Sequence, residues 1–189
     1  MHSALSIPPT PEPRRRLIRL PRPLWIGVVT VLLIVVALGL RIGIPVYRQQ
    51  AAIREIQRLG GVVYVQPRGP IWLRERIPAR FNELFGEVDF ISLQETSATD
   101  ATLAHLQGLN GLKQLWLTAT SVTDSGMLHL KGLTNLQMLH LERTLVTDVG
   151  LAHLKSLTRL RDLRLLQTPV TDAGVAELKL DLPNLIVFK

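Results

Sequence analysis

The residues best suited to chemistry lie in the carboxyl-terminal half: Trp116, His140, Glu142, Asp162 and Arg164. A histidine among carboxylates has the makings of acid–base catalysis, because imidazole titrates near neutral pH and a carboxylate can orient it. Such a site also needs an activated nucleophile, a metal or a phosphate-holding loop, and the sequence carries no motif for any of them. Trp, Met, His and Arg together instead form the composition of a binding-surface centre. A second set, His105, His129 and His153, shares one repeat position, with Glu177 taking it in the last unit. Adjacent helices stand roughly 10 Å apart, whereas zinc holds nitrogen at about 2 Å, and the chain has no cysteine to assist. Neither a metal site nor a cofactor is expected.

A repeat places these residues. From Ala98 the chain recurs every 24 residues, in units Ala98 to Ser121, Val122 to Leu145 and Val146 to Pro169, with a fourth from Val170 to Lys189. In Leu115-Trp116-Leu117, Leu139-His140-Leu141 and Leu163-Arg164-Leu165, leucine alternates with a variable residue, as in a short strand with one face buried. After each strand come Thr-Asp and leucines at helical spacing, such as Leu103, Leu106 and Leu109. Strand and helix alternating at a fixed period give an α/β fold with a parallel sheet on one side and helices on the other. Units this short cannot bury a core alone, so they stack into a solenoid. The outward strand positions are then Phe90, Ser92 and Gln94; Gln114, Trp116 and Thr118; Met138, His140 and Glu142; and Asp162, Arg164 and Leu166.

The motif LxxLxLxxT stands at Leu112–Thr120, Leu136–Thr144 and Leu160–Thr168, with a partial copy, VDFISLQET, at Val88–Thr96. With the TD-x-G-L-x-x-L segment between strands, it resembles the leucine-rich repeat family, and more narrowly its bacterial membrane-anchored or secreted members. The resemblance covers roughly the last half of the chain. It implies a horseshoe-like leucine-rich repeat solenoid, parallel strands lining the concave side and helices the convex side, and it implies no particular ligand.

Three invariants of the repeat have structural readings. Asp100, Asp124, Asp148 and Asp172 precede each helical pattern, where a carboxylate can accept hydrogen bonds from the free N–H groups of the first turn. Thr96, Thr120, Thr144 and Thr168 can satisfy backbone groups at the bend after each strand. Gly126, Gly150 and Gly174 allow close packing of helix on strand; the first unit departs with Thr102.

The amino-terminal half carries a membrane signal. Leu24 to Leu40 is 17 residues without a charge, and apolar residues continue to Tyr47 with only Arg41 between. As helix, Leu24 to Val46 spans roughly 35 Å, enough for a hydrocarbon core of about 30 Å. Arg14, Arg15, Arg16, Arg19 and Arg22 precede the run and Arg41, Arg48, Arg54 and Arg58 follow it. The positive-inside bias therefore favours a cytoplasmic amino terminus, with the repeat domain on the extracytoplasmic side. A cleaved signal peptide is the alternative, with Ala37-Leu38-Gly39 as its weak cleavage site. The chain's net charge of +7 belongs mostly to this part, since Gln49 to Lys189 holds 15 Lys or Arg against 14 Asp or Glu. With no basic groove, no nucleic-acid partner is expected.

Between span and repeats, Ile53, Ile56 and Leu59 share one helical face that stops at Gly60-Gly61, and Val62 to Val65 reads as a strand. Pro67-Arg68-Gly69-Pro70 makes a turn, and Ile71, Trp72, Leu73, Phe81, Leu84 and Phe85 are bulky enough to close the first edge of the solenoid. At the other end Leu185 to Phe188 is an apolar edge strand open to homo-association. The domains are thus a disordered basic tail (1–23), a transmembrane helix serving as signal anchor (24–47), an α/β cap (48–87) and the repeats (88–189). The expected function is non-enzymatic: a membrane-tethered protein-interaction module holding a protein or peptide ligand on Gln114, Trp116, Thr118, Met138, His140, Glu142, Asp162, Arg164 and Leu166. The alternatives are an envelope enzyme or glycan-binding protein using the polar cluster of that face, or a purely structural envelope protein.

Overall fold

The computed structural model describes residues 22–66 and 86–189. The turn expected at Pro67–Pro70 and the bulky residues Ile71 to Phe85, Trp72 included, lie outside the described residues, as does the tail up to residue 21. The chain falls into two units, Met1–Leu40 and Arg41–Lys189.

In the second unit the LxxLxL pattern sets the fold. Leu112, Leu115 and Leu117 are fully buried, as are Leu136, Leu139 and Leu141 and, within 2%, Leu160, Leu163 and Leu165. Burying one such side chain stabilises by about 1.5–3 kcal/mol, and these leucines form one continuous core between sheet and helices. The strands are β1 (Val62–Gln66), β2 (Glu87–Ser92), β3 (Gln114–Trp116), β4 (Met138–His140), β5 (Asp162–Arg164) and β6 (Ile186–Phe188). Among the described residues they make one six-stranded sheet in chain order, parallel from β2 to β6. Its register is the sequence period: Trp116 pairs with His140, His140 with Arg164, and Arg164 with Phe188. The fold is of the leucine-rich repeat kind.

After each of β2 to β5 the chain turns through a left-handed residue, Glu95, Ala119, Arg143 or Gln167, at φ of 55–58°. The next residue is the repeat threonine, and all four threonine hydroxyls donate at 2.7 Å to the leucine carbonyl three residues back. The expected structural role of these threonines is what the structure shows.

The aspartates act differently from the expectation. The helices are α2 (Asp100–Ala104), α3 (Asp124–Met127), α4 (Asp148–Ala152) and α5 (Asp172–Asp181), and the residue before each is a threonine with extended backbone. Thr123, Thr147 and Thr171 cap their own helices by accepting from the N–H of Ser125, Val149 and Gly174. Asp100, Asp124 and Asp148 instead reach into the next unit, while Asp172, in the last unit, pairs with Lys189. Asp124 takes the backbone N–H and the hydroxyl of Thr147, both at 2.7 Å, and Asp100 and Asp148 take Thr123 and Thr171 alike. The glycines follow from this. A Cβ on Gly126, Gly150 or Gly174 would stand 2.4, 2.4 or 2.1 Å from the preceding unit's aspartate oxygen. The glycine thus makes room for a carboxylate rather than for helix-on-strand packing. In the first unit, where Thr102 stands, its hydroxyl accepts from the N–H of Thr99.

The amino-terminal elements are one helix rather than two. α1 runs unbroken from Arg22 to Arg58, so it starts within the segment expected as tail and passes through the expected boundary between span and cap. It ends as the glycines suggest: Gly60 has φ of 81°, and Gly61 N–H closes on the Ile56 carbonyl. Ala52 and Ile56 are fully buried in the core, and Ile53 and Leu59 pack against it. β1 pairs antiparallel with β2 and so covers the first edge of the parallel sheet. In the first unit Val28, Leu32 and Leu33 are exposed on the helix. Among the described residues no helix is long and apolar enough to cross a membrane, so the crossing expected over 24–47 is not shown. At the far end β6 pairs with β5, and Ile186 and Phe188 remain half-exposed.

Candidate partner-binding face

Of the residues expected to point outward, Phe90, Trp116 and His140 come together through their rings, in a row that runs across neighbouring strands. Tyr64 on β1 lies 5.3 Å from Phe90 on β2; Phe90 meets Trp116 edge-on at 4.8 Å; Trp116 stacks on His140 at 5.0 Å with planes 4° apart. Beyond His140, Arg164 lies with its guanidinium carbon 5.4 Å from the centre of Phe188. In-register parallel strands bring equivalent side chains about 4.8 Å apart, which accounts for the Trp116–His140 stack; Phe90 is in register with Gln114 and reaches Trp116 diagonally.

This contact alters what the residues offer. Trp116 is half-buried rather than open, and its indole N–H is buried with no hydrogen-bond partner among the described residues. His140 is 8% exposed, pressed against that indole. Burial holds its pKa below the ordinary 6.5, helped by Arg164 and partly offset by Glu142 and Asp162. The ring is therefore neutral at physiological pH.

The expected polar cluster separates into two pairs. Thr118 donates its hydroxyl to Glu142 at 2.7 Å. Asp162 stands 3.7 Å from Arg164 Nε on the same strand. Among the described residues no hydrogen bond joins His140 to either carboxylate, so the geometry of an oriented general base is not assembled. Gln114 stays half-buried beside Phe90, while Met138 and Leu166 are 38% and 57% exposed and flank the row with apolar surface.

Two members of the row were missed from sequence. Phe188 occupies the Trp116 place three units on, so the period itself could have found it. Tyr64 lies outside the repeat, and only its pairing opposite Phe90 brings it in. On the helical side, His129 Nδ1 is 2.7 Å from Gln107 Nε2, and no group of three His, Asp or Glu able to hold a metal occurs among the described residues.

No family model matches the chain, and no curated protein does. Similar solved structures include a leucine-rich repeat protein of Leptospira interrogans, 16% identical over 46% of this chain and 27% of that one, with a TM-score of 0.35. An internalin of Listeria monocytogenes, InlF, is 18% identical over 46% of this chain and 31% of its own, with a TM-score of 0.33. Internalin C2 of the same species is 18% identical over 53% and 70%, with a TM-score of 0.23. The chain spans about a third or less of the first two.

Proposed function

We propose that the chain is a membrane-tethered interaction module whose open sheet face holds a protein or peptide partner. The observation that carries this reading is the ring row itself, with the indole N–H of Trp116 at its middle buried and without a hydrogen-bond partner among the described residues. A buried donor without an acceptor costs about 1–3 kcal/mol, and a partner recovers it by shifting the indole so that its N–H meets a carbonyl. Asp162 Oδ1 is likewise buried without a hydrogen bond among the described residues, with Arg164 Nε at 3.7 Å. Around both lie aromatic, methionine and arginine side chains, the types that dominate binding energy at interfaces. A non-enzymatic role fits a histidine whose ring face is covered by Trp116.

Tethering is supported by the 17 uncharged residues from Leu24 to Leu40, helical throughout, and by apolar side chains that stay exposed: Val31, Leu32, Leu33 and Val35 each at 61%. An apolar helix surface of this length needs an apolar surrounding. The arginines before it favour a cytoplasmic amino terminus and an extracytoplasmic repeat domain.

The test is affinity purification of full-length protein from its native membrane, wild type against Trp116→Ala/Arg164→Ala. The account expects one partner to be lost selectively from the double variant. Recovery of the same proteins by both baits would show that the face is not the docking surface.

A further inference from the structure

We propose that the corner between β1 and β2 is a distinct pocket of this face that takes a cationic side chain, lysine or arginine, from the partner; this rests on the open face being the docking surface. Tyr64 and Phe90 face each other across the antiparallel pair with planes 55° apart, so the rings make a wedge rather than a stack. With Val65, Gln66, Asp89 and Gln114 they line a concavity of about 380 Å³. Tyr64 is 62% exposed, which leaves its ring accessible to a partner. Trp116, by contrast, already has His140 against its face.

The carboxylate is in the wedge because the sheet is irregular there. Tyr64 pairs with Phe90 but Val65 pairs with Val88, so Asp89 is the extra residue of a β-bulge. In a regular strand Asp89 and Phe90 would point to opposite faces. The bulge breaks the alternation: Val88 and Ile91 are both in the core, and Asp89 joins Phe90 in the lining. The Asp89 side chain is 16% exposed, and Lys113 Nζ stands off at 4.0 Å, itself 47% exposed. Among the described residues Lys113 is the cation paired with this largely desolvated carboxylate, at the outer limit of an ion pair, which leaves room for a second cation at closer range. Ring faces attract a cation through their quadrupoles, and the carboxylate adds direct charge. The chain makes such a contact itself at the other end of the row, Arg164 over Phe188. An acidic side chain would be repelled by Asp89, and an apolar one would strand its charge further, so the occupant's chemistry follows from the lining.

The test is selection of random displayed peptides on the full-length protein in detergent, followed by affinity measurement of the best binder. Lysine or arginine should be enriched at one fixed position. That peptide should lose about two- to thirtyfold in affinity on Tyr64→Leu, the range a cation–π contact supplies, and should also lose affinity on Asp89→Asn, which removes the charge attraction. It should hold or gain affinity on Lys113→Gln, which removes the competing cation. Peptides that need Trp116 but show no cationic preference, or ignore both Asp89→Asn and Tyr64→Leu, would overturn the pocket and leave the docking face standing. Failure to select any peptide, or binders indifferent to Trp116→Ala as well, would overturn both.

Discussion

Gly150 lacks a side chain because a carboxylate from the preceding unit occupies the space: its Cβ would sit 2.4 Å from Asp124 Oδ1. Gly150→Ala should cost about 1–3 kcal/mol in urea unfolding. In an Asp124→Ala background the same change should cost at least about 1 kcal/mol less, because the obstruction has gone; strictly additive costs would refute the pairing. The sequence displays both residues as invariants but not their partnership, since a helix cap and an inter-unit bridge demand the same residue type at the same place. The left-handed residues Glu95, Ala119, Arg143 and Gln167 were illegible for another reason: they share no residue type, and the bend is set by the hydrogen bonds around them. His140 was legible as outward but not as buried, because its neighbours' bulk decides that. Its folded pKa lies below 6.5, so the unfolded chain binds the proton more readily. The stability it contributes is complete above pH 6.5 and declines as pH falls from there toward the folded pKa. His140→Gln should flatten the slope of unfolding free energy over that interval, and an unchanged slope would assign the dependence elsewhere.

At the scale of elements, the carboxyl-terminal part of α1 and the strand β1 seal the start of the repeat stack. Ile56 is fully buried against it, and Ile56→Ala should cost about 2–5 kcal/mol. Repeat stacks are held by nearest-neighbour contacts, so the loss should appear first as faster hydrogen exchange in β2 and β3, with β5 protected longest. Uniform acceleration across the sheet would mean that the cap is not a separate source of stability. The helix stop at Gly60 and the strand after it were readable from residue types. The continuity of α1 was not: hydrophobic pattern changes after Tyr47 while the backbone keeps its helical hydrogen bonds, and pattern reports the surroundings of a helix rather than its length. The bulge at Asp89 was hidden too, because it exists only through pairing with β1.

At the scale of the whole molecule, an apolar amino-terminal helix precedes the repeat domain whose open sheet face is proposed to hold a partner. If the helix is a tether, full-length protein stays with the membrane after alkaline extraction, and Leu32→Arg/Leu33→Arg releases it, since each arginine at mid-span costs roughly 2.5–3.5 kcal/mol. Release of the wild type would remove the tether and leave the face untouched. The architecture of parallel strands and helices was legible because a fixed period forces it. The partner was not, since composition marks a surface as binding without naming what is bound. The most direct measurement places a photo-crosslinking residue at Leu166 on the open sheet face or at Val149 on the helical side, 57% and 64% exposed, in the native membrane. The account predicts a discrete adduct from Leu166 that disappears with Trp116→Ala and no such adduct from Val149. An adduct from Val149 alone, or one from Leu166 that persists without Trp116, would contradict it.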